Sequence, residues 1–376
     1  MSLLSLIALS TAFHFYVGLR LVPSLPADAG WALSLWLAVS ALLSPLGLLA
    51  RRLLKGPAAD RLTWAGMLAM GLFSSLLVFT FLRDLLLLAA AAAAHFGATL
   101  PSALAPDSAG AVLALALLAS AIGLANARRT ARVRRVDVPL QRLPSALAGF
   151  RIVQISDIHV GPTIKQDYLD AIVDRVNALD ADVVAITGDL VDGTVAELAS
   201  HVAPLARLRA RHGVYFVTGN HEYYSGVHGW LAELRRLGVR VLQNEHVVLR
   251  HQGEQLVLAG VPDYGAHHYD RAHRSDPVAA LQGAPEDAVK VLLAHQPRTA
   301  PAAAAAGFDL QLSGHTHGGQ FFPWSLFVPL QQPFTAGLHQ LDGLRVYVSR
   351  GTGYWGPPKR VGAPSEISEL RLAASV

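Results

Sequence analysis

The chain has 376 residues, more than a typical single domain, with 52% hydrophobic and only 15% charged residues and no cysteine, so several structural units are expected and disulfides and thiolate metal ligands are excluded. Any metal must be held by imidazole, carboxylate or amide groups. The net charge of +4 is carried partly by two basic clusters, residues 51–55 and 128–135, which lie beside apolar runs; they lack the interleaved aromatics of a nucleic-acid face, so no nucleic-acid partner is expected, and a membrane surface fits them better.

In chain order, residues 1–127 are almost uniformly apolar. Four runs, 3–22, 31–50, 62–82 and 103–126, reach the ~20 residues needed to span a bilayer. Arg83 and Asp84 interrupt an apolar continuation of the third run, and are expected near an interface or facing the bundle interior. A cleaved leader does not fit, because the first run has no basic flank and three more runs follow it. The loop 51–61 carries four basic residues and the segment 128–135 carries five, whereas the loops near 23–30 and 95–106 carry none. The excess of Lys and Arg on one side predicts an inside N-terminus and a cytoplasmic C-terminal part, despite Arg20 at the outer end of the first span.

From residue 149 the composition is that of a globular domain, joined to the helices by a linker and lead-in strand over 128–148. Apolar runs at 151–155, 182–187, 214–218, 255–261, 289–294, 309–312, 344–349 and 367–372 read as strands. Amphipathic stretches at 168–179, 195–211 and 227–237 read as helices. The early βαβ alternation and the strand-rich later half predict an α/β fold of two mixed sheets with helices outside.

Five of these strands end in polar motifs: Asp157-Ile158-His159, Gly188-Asp189, Gly219-Asn220-His221-Glu222, His295-Gln296 and Gly314-His315-Thr316-His317. Ligands of open α/β sheets bind beyond the carboxyl ends of strands, so one rim receives two Asp, one Asn and several His. Such oxygen and imidazole donors suit Mn, Fe or Zn. Alternation along an extended chain would put Asp157 and His159 on one side, and likewise His315 and His317. A carboxylate on the Gly188-Asp189 turn could bridge two cations ~3.5–4 Å apart, the spacing used to activate a water against a phosphoryl group. Glycines 188, 219 and 314 are expected to permit sharp turns. Taken singly, each motif is an ordinary loop, turn or cap; their shared order and position after strands make the case. His246, His251, His267, His268 and His273 lack that framing and read as hairpin or loop residues.

These motifs, with the extended Gly-His-Thr-His-Gly-Gly-Gln ending at Gln320, resemble the calcineurin-like metallophosphoesterase superfamily, in particular its membrane-associated bacterial branch of YaeI- and YkuE-type phosphodiesterases. The resemblance covers residues 137–376. It implies a four-layer α/β/β/α sandwich, here preceded by a four-helix transmembrane region in a bacterial inner membrane. It also implies a binuclear centre of two divalent or trivalent metal ions, Mn, Fe or Zn, with Asp157, His159 and His317 on the first, Asn220, His295 and His315 on the second, and Asp189 between them. His221 would act near the leaving group. Glu222 stands where relatives often carry Asp, which puts its support of His221 in question.

Arg350, in the glycine-rich turn after the strand at 344–349, is a candidate phosphate contact, with a plain structural turn as the alternative. Trp324, Phe327 and Trp355 are candidates for an apolar lip or for core. The loop 262–276, with Tyr264, is placed to cap the rim. The leading expectation is a membrane-anchored phosphoesterase, phosphodiesterase or phosphatase, acting on a lipid or lipid-linked phosphate. Its rivals are a sensor or transport protein whose domain only binds ligand, and a soluble nuclease.

Overall fold

Each apolar run of the N-terminal part becomes a helix in the computed structural model, which describes residues 3–375; Met1, Ser2 and Val376, the outer ends of the expected divisions, lie outside the described residues. The helices are α1 (Leu3–Leu21), α2 (Ala27–Leu48), the short α3 (Ala50–Leu53), α4 (Gly56–His95) and α5 (Leu104–Arg128). All but α3 are long and apolar enough to cross a membrane. At 1.5 Å per residue the 40-residue α4 is about 60 Å long, twice the ~30 Å hydrocarbon core. The third expected span is therefore only part of α4, and Arg83-Asp84 does not break it.

Arg83 turns into the bundle. Its guanidinium donates to the carbonyls of Arg20 (3.0 Å) and Ala105 (3.1 Å) and to the hydroxyls of Ser24 and Ser108 (both 3.0 Å). Asp84 beside it accepts from Arg20 (2.9 Å) and from the Tyr16 hydroxyl (2.7 Å). A buried cation is tolerated because four of its five N–H groups meet an acceptor and the Asp84 carboxylate lies 4.0 Å away. Elsewhere the contacts depend on small residues. A Cβ on Gly66 would fall 2.6 Å from the Gly47 Cα, so α2 and α4 approach backbone to backbone. Large apolar side chains point outward instead, among them Trp31 (78% exposed) and Leu88 (69%).

This helical unit also contains Gly356–Val361, far away in sequence. The Lys359 ammonium is buried there and donates to the Gly71 carbonyl (2.8 Å) and the Ser75 and Ser120 hydroxyls. The Arg360 amide donates to the Gly123 carbonyl at 2.9 Å.

The second unit, Arg129–Trp355 with Gly362 onward, holds twelve strands. They are β1 (Arg132–Leu140), β2 (Arg151–Ile155), β3 (Val183–Ile186), β4 (Val214–Phe216), β5 (Arg240–Val241), β6 (Glu245–His251), β7 (Glu254–Gly260), β8 (Val289–Leu293), β9 (Leu310–Ser313), β10 (Gly337–Leu341), β11 (Leu344–Val348) and β12 (Glu366–Ala374). One sheet runs β1-β12-β2-β3-β4-β5 and the other β10-β11-β9-β8-β7-β6. The central strands of each are parallel and read as unbroken apolar runs because both faces are covered.

Between the sheets, Ile152, Val183 and Tyr215 of one face Leu258, Val291 and Leu312 of the other in a single core. Helices α6 (Gln166–Asn177), α7 (Val195–Val202), α8 (Asn220–Tyr224) and α9 (Val227–Arg236) follow strands of the first sheet. Helices α10 (Pro277–Ala280) and α11 (Ala300–Ala306) accompany the second, where Ala280, Ala300 and Ala303 pack with Leu292 and Val346. The expected sandwich of two mixed sheets with helices outside is what forms. The helix expected over 195–211 stops at Val202, because Pro204 cannot continue α-helical hydrogen bonding, and the chain tightens into a 3₁₀ turn over Ala203–Arg207.

Candidate metal centre

The parallel strands β2, β3, β4, β8 and β9 all deliver their C-terminal ends to the same rim. Asp157 and His159 follow β2, Asp189 follows β3, Asn220 and His221 open α8 after β4, His295 follows β8, and His315 and His317 follow β9. The structure brings the Asp and His residues of this set together in three overlapping groups, of which His159, Asp189 and His221 form the middle one. In one, His317 Nε2 lies 3.4 Å from Asp157 Oδ1 and 3.1 Å from His159 Nε2. In another, His295 Nε2 lies 3.2 Å from Asp189 Oδ2 and 3.2 Å from His315 Nδ1. Asp189 Oδ2 is also 3.9 Å from His159 Nε2, within the middle group. Ligands bound tetrahedrally at 2.0–2.1 Å sit about 3.3 Å apart. These separations are therefore those of donors converging on cations.

Secondary contacts fix which ring nitrogen faces inward. His295 Nδ1 donates to the Thr187 carbonyl (2.8 Å) and His159 Nδ1 to Asp192 (3.1 Å), so both present Nε2. The main-chain amides of His315 and His221 donate to the carboxylates of Asp157 and Asp189, both at 2.9 Å.

The backbone carries strain at the same places. Asp157, His159, Asp189, His315 and His317 all have φ between 51° and 71°, half of the ten non-glycine residues with positive φ among those described. Each costs about 1–3 kcal/mol, and such residues gather at functional sites. Two expectations are corrected here. Asp157 and His159 share a side through left-handed turns beyond β2, not through extended alternation, and the same holds for His315 and His317. Among the glycines, Gly188 does use positive φ (88°). Gly219 and Gly314 are required instead for space: a Cβ would strike the carboxylate of Asp189 at the first and that of Asp157 at the second.

The donor set fits a cation on one further observation. Asn220 Oδ1 is buried and has no hydrogen-bond partner among the described residues. A buried amide oxygen without a partner costs roughly 1–3 kcal/mol unless something electropositive meets it. The electrostatics agree. Burial opposes charge on His221, yet Asp189 and Asp192 outweigh it and hold its pKa up at about 9. Burial likewise opposes charge on Asp189, but His295 and His221 hold its carboxyl well below the usual range. Against burial, Asp189 and Asp157 hold a proton on His295, whereas burial and the neighbouring His295 push His315 down to about 3, so it is an uncharged donor.

Two carboxylates divide the supporting work. Glu222 does not touch His221. Buried, it accepts the amides of Gly219 (2.6 Å), Leu190 (2.8 Å), Asp189 (3.0 Å) and Val191 (3.3 Å), and so pins the turn that presents Asp189. Burial and the nearby Asp189 push its pKa up to about 8. Orientation of His221 falls to Asp192, which accepts from its Nδ1 at 2.6 Å as well as from His159. Sequence reading missed Asp192; its signal is the spacing Gly188-Asp189-x-x-Asp192, which carries the chain back to the rim after one loop turn.

Comparison with known proteins gives the same answer. The family profile described as calcineurin-like phosphoesterase matches residues 150–319. An uncharacterized metallophosphoesterase of Aquifex aeolicus is 33% identical over 63% of this chain and 89% of its own length. This chain belongs to the calcineurin-like metallophosphoesterase family. The transmembrane protein with metallophosphoesterase domain from Bos taurus is 45% identical over 68% of this chain. The metallophosphoesterase YkuE of Bacillus subtilis is 27% identical over 62% of it and 82% of its own length. The match spans 60% of the length of the cattle relative and 62% of the zebrafish one.

None of the remaining candidates of this chain belongs to the groups of metal-type donors. Arg350 packs under Gly318, and its guanidinium donates to Glu366 at 2.9 Å, which favours the structural turn over a phosphate contact. Lys359 and Arg360 belong to the helical unit, as described above. Trp324, Phe327 and Trp355 are each about half exposed (51%, 51% and 50%), so they form a surface and not core. Trp355 stands edge-on to His221 with ring centroids 5.7 Å apart, and its main chain is clamped by the Gln320 side chain at 2.9 Å in both directions.

Proposed function

We propose that this chain is a membrane-anchored phosphoesterase, with residues 1–127 as anchor and 149–376 as the hydrolase, acting through a two-metal site. Asp157, His159 and His317 would hold one cation, Asn220, His295 and His315 the other, and Asp189 would bridge them. The observation that carries the reading is the convergence of Asp157, His159 and His317 and of Asp189, His295 and His315 at metal-ligand spacing, with the buried Asn220 Oδ1, at the end of a neighbouring strand, left without a hydrogen-bond partner among the described residues. Bound there, Mn, Fe or Zn ions would supply Lewis-acid polarisation of the phosphoryl group and a lowered pKa for the attacking water. His221, charged and aligned by Asp192, would stabilise or protonate the departing oxygen. Glu222 would hold Asp189 in place through the main chain.

A lipid or lipid-linked phosphate is the favoured substrate class. Three residues separate α5 from β1, so the hydrolase is tethered to its membrane helices. Phe322, Trp324, Phe327 and Trp355 expose an apolar surface along the segments that flank the last metal motif, and Trp355 reaches His221. A cytoplasmic face and a bacterial inner membrane remain the reading of the basic loops.

The test uses full-length protein in detergent with Mn²⁺ and bis(p-nitrophenyl) phosphate. Hydrolysis that disappears in Asp189→Asn is expected. Unchanged turnover in that variant would overturn the mechanism. Faster turnover of phosphodiesters carrying acyl chains than of short ones would support the lipid class, and equal rates would remove it.

A further inference from the structure

A second set of metal-type donors gathers away from the rim, where the loop after β7 meets the start of α9. His228 Nε2 lies 3.2 Å from Asp270 Oδ2, and His273 Nε2 faces the same oxygen at 3.9 Å. The two rings meet at 61° with centroids 5.5 Å apart. One donor atom from each residue lies within 4.8 Å of the other two. His228 is exposed and the other two are half-buried, so the cluster is open to solvent on one side.

The surrounding contacts preset these donors. The Tyr223 hydroxyl bonds His273 Nδ1 at 2.9 Å, and Nε2 faces Asp270 with the Gln243 amide nitrogen 3.3 Å away, a contact a cation would displace. Asp270 Oδ1 is taken by the Ala272 amide (2.9 Å), leaving Oδ2 toward the histidines. An ion pair alone explains this poorly. A separation of 3.9 Å is too long for a hydrogen bond, and one carboxylate oxygen faces both rings at once. Two imidazoles and one carboxylate, each with its second donor already engaged or solvated, are the donors of a Zn²⁺ site with an open fourth position.

We propose that His228, Asp270 and His273 form a further cation site, suited to Zn²⁺, which clamps the loop 262–276 to α9. One end of that loop is already fixed: the Asp263 amide donates to Thr218 Oγ1 (3.2 Å), and Gln296 donates to the Asp263 carboxylate (2.8 Å). The other end is held by Asn244, which donates to the Arg274 carbonyl (2.7 Å) and accepts from the Asp276 amide (2.9 Å), and the cation would fix the stretch between them at Asp270 and His273. Tyr269, next to Asp270, packs on Tyr224 with centroids 5.5 Å apart, and Tyr224 lies 5.1 Å from His221. Occupancy therefore sets the wall beside the catalytic rim without contributing a group to it.

The test compares full-length protein with the double variant His228→Ala/His273→Ala, in both wild-type and Asp189→Asn backgrounds. Each is stripped with chelator, reloaded with Zn²⁺, desalted and assayed for bound metal, and hydrogen exchange is followed over residues 262–276. The unaltered cluster should bind one more Zn²⁺ per chain than the double variant in both backgrounds, and Zn²⁺ should slow exchange of the loop only where the cluster is intact. Equal metal content, or equal loop protection, in the presence and absence of the two histidines would overturn the proposal. Because the rim is disabled by Asp189→Asn, the result does not depend on the phosphoesterase reading. The single variant His228→Ala, at an exposed position, guards against loss by misfolding and should lose the same ion.

Discussion

The helical unit and the sheet unit differ in what they turn outward. In the sheet unit Val, Ile and Leu fill the space between two sheets, and the metal-type Asp and His side chains gather at one rim, where ring nitrogens such as His159 Nδ1 and His295 Nδ1 have assigned partners. In the helical unit Trp31, Leu88 and many other large apolar residues face outward, while glycines and Arg83 lie inside together with a small apolar cluster around Leu21, Leu37 and Phe73. One unit is built against water and the other against hydrocarbon, where association depends on close backbone packing and satisfied polar groups and not on apolar burial. The consequence is that a change of the same size, the loss of one charged side chain, should act on chemistry in one unit and on assembly in the other.

The largest effect is expected at Asp189. Asp189→Asn should lower kcat on the order of 10³-fold, because it weakens the contact shared by two of the donor groups. Next is Asp192→Asn, which leaves the proposed ligands in place but unfixes His159 and His221. It should cost about 10–100-fold in kcat while bound metal changes less; an unchanged kcat would remove Asp192 from the account. Arg83→Ala tests the other unit. It removes a donor from the carbonyls of Arg20 and Ala105, although Ser108 still reaches the latter, at about 1–3 kcal/mol for a buried acceptor left unmet. Thermal unfolding in detergent should shift downward while the folded fraction keeps its kcat. A fall in kcat with no change in unfolding would break the comparison. The smallest effect is expected for Arg207→Ala, whose bonds to Asp170 and Asp174 are exposed on the surface; neither melting nor turnover should change measurably.

The site was more legible in the sequence than the geometry behind it. Asp157, His159, Asp189, Asn220, His295, His315 and His317 could be picked out because each follows an apolar run that marks a strand end. The reason offered for their pairing, alternation on an extended chain, does not hold, since left-handed φ is invisible in residue types other than glycine. Asp192 escaped because a lone Asp in a loop has no local frame, and its partners arrive from β2 and α8. Glu222 was read through its neighbour His221, whereas its contacts are main-chain amides, which every sequence contains. In the fold, β6 and β10 escaped because edge strands alternate polar and apolar residues weakly over short lengths. The excursion Gly356–Val361 into the helical unit has no apolar signature at all: its charge is hidden by carbonyls and hydroxyls of α4 and α5.

The central claim is that one rim of Asp, His and Asn side chains holds the metal ions that make this chain a hydrolase. It is tested most directly by stripping full-length wild-type and Asp189→Asn proteins with chelator, restoring Mn²⁺, and measuring bound metal and bis(p-nitrophenyl) phosphate turnover on the same samples. The account predicts that wild-type turnover vanishes on stripping and returns with the metal, while Asp189→Asn recovers neither the rim ions nor turnover. Turnover that survives stripping, or that returns fully in Asp189→Asn, would contradict it.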